Sequence, residues 1–449
     1  MTLTIIDAIL DRYERNTEYH FIDTKLSIIT GDDFLEAKDS EKDFKGRTAI
    51  FGWIQGRGLE SLAGHIEWLP HCSLLTPNEI NERRERLIRM TEEVFAQMET
   101  IRAVNNGRLS FLMTPEGRPF TMDDQGRRQT INLDPQNTST TDMFYAKGMI
   151  AAALLLGRSD KVEEAKDYFR KVVNKIENGR LAGDQVSFDP KNPTRSVTGK
   201  RSHGGYMISI LGCTNLAKYL DEDEWYACGE RLIRHVIDHY INQGQFKNLE
   251  LFDFVESIDP KGNPWEQEGY VLSDPGHSLE LIGIATKFLL VLQERKEKTV
   301  SQEQLLEQCV ELFPKVLINN FRNGFNRNTG GLCKAYDLIS RKPLNSDMPW
   351  WNLPETMRAA VELLLLNPDD DYTEEILQIL MHCSNAFIKN YVNRDIHLMA
   401  YQTIDENGQP VDTIPATADA DPGYHTGLSV IDFLDCLRKI NTPSQKQGS

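Results

Sequence analysis

Two histidines stand where side chains could transfer protons, each within two residues of a Pro-Gly pair. His277 lies in "DPGHSLELIGI" (274–284), three residues before Glu280, and His425 lies in "DADPGYHTGLS" (419–429). An imidazole titrates near neutral pH, so it can take and return a proton. A capping or loop contact at a helix start is the alternative explanation for either histidine alone.

Five further residues are expected at the same end of the predicted helices. Taken singly, each type of residue has a simpler explanation. Arg57 could form a structural ion pair, a tryptophan could belong to the core, and a glutamate is favoured in the first helical turn by the helix dipole. Together they indicate one pocket of imidazoles, a guanidinium, carboxylates and aromatic rings. Such a pocket suits a sugar, because flat rings stack on sugar faces and charged groups fix hydroxyls. The five residues are Arg57, Tyr145, His203, Trp351 and Glu355.

Helical periodicity dominates the chain and places these residues. Apolar residues such as Leu87, Met90, Val94 and Met98 recur every three or four positions, as in an amphipathic helix. The links between successive predicted helices are alternately long and short. Because a short link joins two helices into an antiparallel hairpin, we expect six hairpins closed into an all-α (α/α)6 barrel. The long loops, with short β pieces in 107–122 and 330–344, would then meet at one end. The predicted helices are 3–16, 52–69, 78–103, 142–157, 159–177, 204–220, 222–241, 276–295, 302–320, 354–367, 372–391 and 424–440.

Composition excludes several classes of partner. A net charge of −17 over 449 residues argues against nucleic acid and anionic membranes. No secretory leader or 18-residue apolar run is evident, and the seven cysteines are scattered without CxxC spacing, so we expect reduced thiols in the cytoplasm. His235 and His239 have metal-compatible spacing but no evident third ligand, so no metal is predicted. We expect one catalytic domain over 1–440 and a disordered tail over 441–449.

Four stretches resemble one enzyme family. They are "GWIQGRGLESLA", "DPGHSLELIGI", "GGLCKAYDLISRKPLNSDMPWWNLPETMRAA" and "PGYHTGL". In this order they are similar to motifs of the N-acylglucosamine 2-epimerase family, which includes cellobiose 2-epimerases and mannose isomerases. The resemblance implies the (α/α)6 barrel and a reaction at the reducing end of a sugar without a cofactor. It also allows a homodimer.

The resemblance assigns roles residue by residue. His277 and His425 match the paired acid/base histidines, and Arg57 matches the arginine that holds the carbonyl or enediolate oxygen. Glu280 matches the acid on the first histidine's helix, and Glu355 matches the glutamate after the tryptophan pair. Trp351, Tyr145 and His203 are expected to line the pocket. Two departures bear on the substrate: "YMISILGCTN" (206–215) lacks the family's histidine and glutamate, and no arginine follows the final "TGL".

We therefore predict a sugar 2-epimerase or an aldose–ketose isomerase. A small-molecule sugar is the expected partner, and the proton would be moved by histidine through an enediolate. One alternative is a glycoside hydrolase or lyase in the same barrel, with Glu355 and the loop residue Asp421 as its carboxylates. Another is a sugar-binding protein without catalysis.

Overall fold

Twelve α-helices follow the predicted order in the described part of the chain. The computed structural model describes residues 1–185, 197–394, 400–411, 417 and 419–441. Of the predicted tail 441–449, all but Asn441 lies outside these residues. The helices are α1 (Thr2–Glu14), α2 (Gly52–Trp68), α3 (Pro77–Val104), α4 (Thr140–Leu155), α5 (Ser159–Glu177), α6 (Gly204–Leu220), α7 (Asp223–Tyr240), α8 (Pro275–Glu294), α9 (Val300–Gly324), α10 (Asn352–Leu366), α11 (Thr373–Ala386) and α12 (Ser429–Asn441).

The even-numbered helices form an inner ring. Each of α2, α4, α6, α8 and α10 packs against the next, and α12 packs on α10. A π-helical turn, Tyr424–Leu428, leads into α12 and closes the ring against α2. The odd-numbered helices lie outside, so the predicted (α/α)6 architecture is confirmed. Helices α2 and α4 approach closely at two glycines: a Cβ on Gly148 would lie 2.2 Å from the carbonyl oxygen of Gly56.

Inner and outer helices differ in composition because of their burial. Helix α4 is buried continuously from Thr141 to Ala153, whereas α5 buries one stripe that includes Phe169 and Val172. Among the described helices, α8 alone has the length and apolar composition of a membrane span, and 78% of that stretch is buried. All seven cysteines are free and buried.

Short antiparallel strands occupy the long loops, as predicted. The strands are β1 (Ile50–Phe51), β2 (Leu112–Met113), β3 (Pro119–Met122), β4 (Arg128–Thr130), β5 (Arg201–Ser202), β6 (Ser257–Ile258), β7 (Glu266–Gln267), β8 (Tyr270–Ser273), β9 (Ala335–Asp337), β10 (Lys342–Asn345), β11 (Met348–Pro349) and β12 (Thr403–Ile404). One four-stranded sheet has the order β1-β2-β3-β4, another has the order β10-β9-β8-β7, and β5–β6 and β11–β12 form two pairs.

Four of these strands run almost directly into inner helices. Strands β1, β5, β8 and β11 end within three residues of the starts of α2, α6, α8 and α10. Because each strand is hydrogen-bonded to a neighbour, it fixes the point at which its helix enters the ring. The side chains at these helix starts are thereby held at one end of the barrel.

The last helix departs from its prediction. The span 424–440 reads as one helix, yet its first five residues form the π-helical turn that carries His425. Gly423 precedes the turn with a φ of 78°, and a Cβ on Gly427 would lie 2.5 Å from the ring of His65. The close approach to α2 therefore requires glycine and a wider turn. Such turns recur at functional sites. A second π-helical turn, Phe387–Tyr391, follows α11.

Candidate active site

The Pro-Gly pair before His277 starts helix α8 in a defined way. Asp274 caps the helix by accepting a hydrogen bond from the Gly276 N–H at 3.0 Å, and Pro275 occupies the first helical position. A Cβ on Gly276 would lie 2.2 Å from Oδ1 of Asn352, the first residue of α10. The two helix starts therefore touch, and His277 on α8 is held beside Trp351, which precedes α10.

His277 is paired with a carboxylate from the long loop that precedes α8. Its Nδ1 lies 3.0 Å from Glu256 Oε1 and 3.6 Å from Asp274 Oδ2. Burial lowers the pKa of His277, but Asp274 and Glu256 outweigh it and raise the pKa to about 9. Burial raises the pKa of Glu256, yet His277 and His203 hold that pKa well below its usual range. The His277 side chain is 29% exposed, so it can be reached from outside the ring.

His425 has an equivalent arrangement deeper in the ring. Its Nδ1 lies 2.7 Å from Glu355 Oε1, which also accepts a hydrogen bond from Ser429 Oγ at 2.6 Å. The other oxygen of Glu355 pairs with Arg358 on the next turn of α10. Burial raises the pKa of Glu355, but Arg358 and His425 outweigh it and lower the pKa to about 2. Glu355 therefore stays ionised while fully buried.

Trp351 lies beside both imidazoles. Its ring centroid is 5.2 Å from that of His277 and 5.7 Å from that of His425. Because Nδ1 of each histidine faces a glutamate, Nε2 is the atom that each ring has left for proton transfer. The site thus contains two His–Glu dyads, His277–Glu256 and His425–Glu355, with one indole beside both.

Arg57 is held by aromatic rings and has no ion pair within 4 Å among the described residues. Its guanidinium carbon lies 4.5 Å from the ring centre of Phe144, 4.7 Å from Trp53 and 5.2 Å from Tyr424. Its Nε is buried without a described hydrogen-bond partner. Burial lowers the pKa of Arg57, and the carboxylate of Glu280 is among the groups that oppose this shift. The guanidinium is therefore available to a ligand oxygen.

Glu280 is a buried carboxylate without a described hydrogen-bond donor. It lies one helical turn after His277 on α8 and is 4% exposed. One of its oxygens lies within 4.8 Å of ligand atoms of Glu355 and His425. An unpaired carboxylate is costly to bury. Its position among the other site residues indicates a group held ready for a ligand hydroxyl.

Two predicted pocket residues do not line the site. The Tyr145 side chain is fully buried and its hydroxyl donates to Glu99 on α3 at 3.0 Å, so it faces away from the ring interior. The neighbouring Phe144 contacts Arg57 instead. His203 is also fully buried and packs behind His277, with ring centroids 5.5 Å apart. The prediction that Tyr145 and His203 line the pocket is therefore wrong.

Other contributing residues escaped the sequence analysis. Lys147 on α4 is fully buried, lies 2.7 Å from Glu60 Oε2 on α2 and donates a hydrogen bond to the Tyr424 hydroxyl. Tyr424 in turn packs against Arg57 and meets the His425 ring edge-on at 4.9 Å. A charged residue within the apolar run "FYAKGMIAAALLL" was a signal for Lys147. Glu256 had none, because it is one of several acids in a long loop.

The two carboxylates considered for a glycoside hydrolase, Glu355 and Asp421, are already engaged. Asp421 accepts hydrogen bonds from the backbone N–H groups of Tyr424, His425 and Thr426 and from the Thr426 hydroxyl. These bonds stabilise the π-helical turn. Glu355 is committed to His425, Ser429 and Arg358. Neither group is free to protonate a leaving group or activate water.

Two clusters among the described residues have the spacing of a metal site. One comprises His203, Glu256 and His277, and the other comprises Glu280, Glu355 and His425. In the second cluster Glu355 is already paired with Arg358, and Arg57 lies near Glu280 and Glu355. The first is therefore the better candidate for a cation.

Comparison with known proteins agrees with this geometry. The N-acylglucosamine 2-epimerase family model matches residues 131–426, more than half of the chain. The chain belongs to the N-acylglucosamine 2-epimerase family. This membership confirms the resemblance and supports an enzyme that acts on sugars. No curated protein matches the chain.

Solved structures with the same fold cover nearly the whole chain. A sugar epimerase from a ruminal bacterium aligns with a TM-score of 0.62 at 14% identity, covering 89% of this chain and 94% of that one. Cellobiose 2-epimerase from Bacillus thermoamylovorans aligns at 0.61 and 12% identity, covering 96% and 99%. A D-mannose isomerase aligns at 0.57 and 16% identity, covering 95% and 97%. At these identities the likeness concerns the fold.

Proposed function

We propose that the protein is a cofactor-independent sugar 2-epimerase or aldose–ketose isomerase. The observation that carries this proposal is the pair of His–Glu dyads beside Trp351. The Nδ1 atom lies 3.0 Å from the glutamate oxygen in the His277 dyad and 2.7 Å from it in the His425 dyad. A glutamate on Nδ1 orients the ring and stabilises the imidazolium that forms when Nε2 accepts a proton. Two such groups can act in turn as base and acid.

The reaction begins on the open-chain form of the sugar. Nε2 of one histidine removes the proton from C2, and the electrons of that C–H bond form the C1–C2 double bond of an enediolate. The charge that develops on O1 is stabilised by the Arg57 guanidinium, which has no described partner to leave. Return of a proton to the other face of C2 gives the epimer. Protonation at C1 instead, with transfer of the O2 hydroxyl proton to O1, gives the ketose.

Three side chains position the substrate. Trp351 presents a flat ring for stacking beside both imidazoles. The carboxylate of Glu280 accepts from a sugar hydroxyl, which would provide the hydrogen bonds that it lacks within the described protein. Arg57 holds the carbonyl oxygen before the proton is removed, so the same residue binds the substrate and stabilises the enediolate.

The experiment that tests this proposal is proton exchange at C2. Purified protein is incubated in D2O with a panel of aldoses and ketoses, and loss of the C2 proton signal is followed by NMR. We expect exchange together with formation of the epimer or ketose, and loss of that product formation in His425→Gln. Folded protein that exchanges no sugar in a broad panel would contradict the proposal. Binding measured by calorimetry without exchange would favour a sugar-binding protein instead.

A further inference from the structure

We propose that His203, Glu256 and His277 form a binding site for a divalent transition-metal ion such as Zn²⁺ or Co²⁺. His203 is fully buried, and its Nδ1 has no hydrogen-bond partner among the described residues. Its Nε2 lies 3.2 Å from Glu256 Oε1, the same oxygen that is 3.0 Å from His277 Nδ1. Two imidazole nitrogens directed at one carboxylate oxygen form an arrangement that a bound cation would satisfy.

The donor spacing fits direct coordination. Zinc–nitrogen and zinc–oxygen bonds of about 2.0–2.2 Å place neighbouring ligand atoms about 2.9–3.5 Å apart in octahedral or tetrahedral geometry. The two separations at Glu256 Oε1, 3.0 and 3.2 Å, lie in this range. The three ligand atoms all lie within 4.8 Å of one another. One ion can therefore reach all three with small movements of side chains.

The charges and the donor types indicate the class of metal. Glu256 and Asp274 supply two negative charges around His277, and Lys334 pairs with Asp274 at 2.7 Å. Two imidazole nitrogens and a carboxylate oxygen favour zinc, cobalt, nickel or iron over magnesium and calcium, which prefer oxygen ligands. Asp274 Oδ2, at 3.6 Å from His277 Nδ1, is placed to supply a fourth ligand if Lys334 releases it.

Metal binding would act on the same histidine that the reaction uses. The ion takes the lone pair of His277 Nδ1, the proton from that atom passes to solvent, and the ring keeps its remaining proton on Nε2. That ring then has no lone pair with which to take a proton from C2. Bound metal should therefore stop isomerisation, a consequence that rests on the proposed function, whereas metal binding itself does not.

The test is a Co²⁺ titration of the full chain after chelator treatment, read by the visible absorption of bound cobalt and by calorimetry. We expect one ion per chain. His203→Gln and Glu256→Gln should each weaken binding by at least about 100-fold, because changes outside the ligand sphere already cost 10–100-fold. His235→Gln is the matched control, because it disrupts a second pair of neighbouring histidines, His235 and His239, whose ring centroids are 4.5 Å apart. Circular dichroism verifies that each variant is folded.

Three outcomes would overturn the assignment. The wild-type protein could bind no Co²⁺ below millimolar concentration, binding could persist in both His203→Gln and Glu256→Gln, or it could vanish in His235→Gln. C2 exchange is then measured on both sugars of the interconverted pair, with and without bound Co²⁺. Loss of exchange on one of the two sugars that EDTA restores supports ligation of His277 Nδ1, and unchanged exchange of both at full occupancy refutes it. Absence of exchange in the metal-free protein, with binding intact, would instead count against the proposed function.

Discussion

Glu355 on α10 has two roles that Glu355→Gln tests: it stabilises the fold by pairing with Arg358, and it orients His425. Glutamine keeps the size of the side chain but removes the charge that Arg358 and His425 share. Arg358 would then be a buried cation whose nearest remaining described carboxylate, that of Asp432, lies 3.9 Å away. His425 would lose the acceptor that fixes its Nδ1 proton, so its Nε2 would no longer be held as a base.

The structure sets the size of both effects. The fall of the Glu355 pKa from 4.5 to about 2 corresponds to about 3 kcal/mol of stabilisation of its charge. Removing one partner of a buried ion pair costs about 3–5 kcal/mol, which agrees in magnitude. We therefore expect the free energy of unfolding to fall by about 3–5 kcal/mol. The C2 exchange rate of the folded fraction, measured on the sugar that His425 deprotonates, should fall by about 10²–10⁴-fold.

Urea unfolding and NMR exchange measure these two quantities on the same preparation. Ser429→Ala is the matched control, because it removes one hydrogen bond to the same Glu355 oxygen and leaves the charge. It should cost about 0.5–1.5 kcal/mol and slow exchange less than tenfold. If Glu355→Gln loses exchange only in proportion to its unfolded fraction, Glu355 does not activate His425 and the dyad assignment fails.

Three further predictions concern Arg57, Tyr145 and the ionisation of Glu355. Arg57→Lys keeps the charge but loses the planar group that lies against Phe144, so the exchange rate should fall by about 10²-fold. Steady-state kinetics measures this effect, and an unchanged kcat/KM would refute the role of Arg57 in stabilising the enediolate. Tyr145→Phe should leave kcat/KM unchanged and cost about 0.5–1.5 kcal/mol in urea unfolding, because its hydroxyl bonds to Glu99; a large loss of kcat/KM would return Tyr145 to the pocket. The depressed pKa of Glu355 stabilises the fold fully above pH 4.5 and progressively less as the pH falls towards 2. The stability difference between wild type and Glu355→Gln, followed by urea unfolding, should therefore shrink across that window, and a constant difference would contradict the ionised buried state.

The sequence predicts the barrel well because its signals are local. Apolar spacing identifies each helix, and the alternation of long and short links indicates which ends meet. The π-helical turn at 424–428 could not be predicted in this way. It depends on the close packing of Gly427 against His65, a contact between helices far apart in the chain.

The candidate site was predicted less completely for the same reason. His277, His425, Arg57, Glu280 and Glu355 come together because each lies on an inner helix at the loop end or on the turn before one. Adjacent helical residues point about 100° apart, so an error of one position selects Tyr145 where the structure uses Phe144. Glu256 lies 21 residues before its partner His277 in a loop, and no periodicity connects them.

The most direct test of the two-dyad mechanism is the activity of His277→Gln and His425→Gln, measured separately on each sugar of the interconverted pair in D2O. Because each histidine carries its own glutamate, we expect both variants to interconvert the sugars at least about 10²-fold more slowly than wild type. For an epimerase, each variant should still exchange the C2 proton of one epimer, a different one in each case. Interconversion at the wild-type rate by either folded variant would contradict the mechanism.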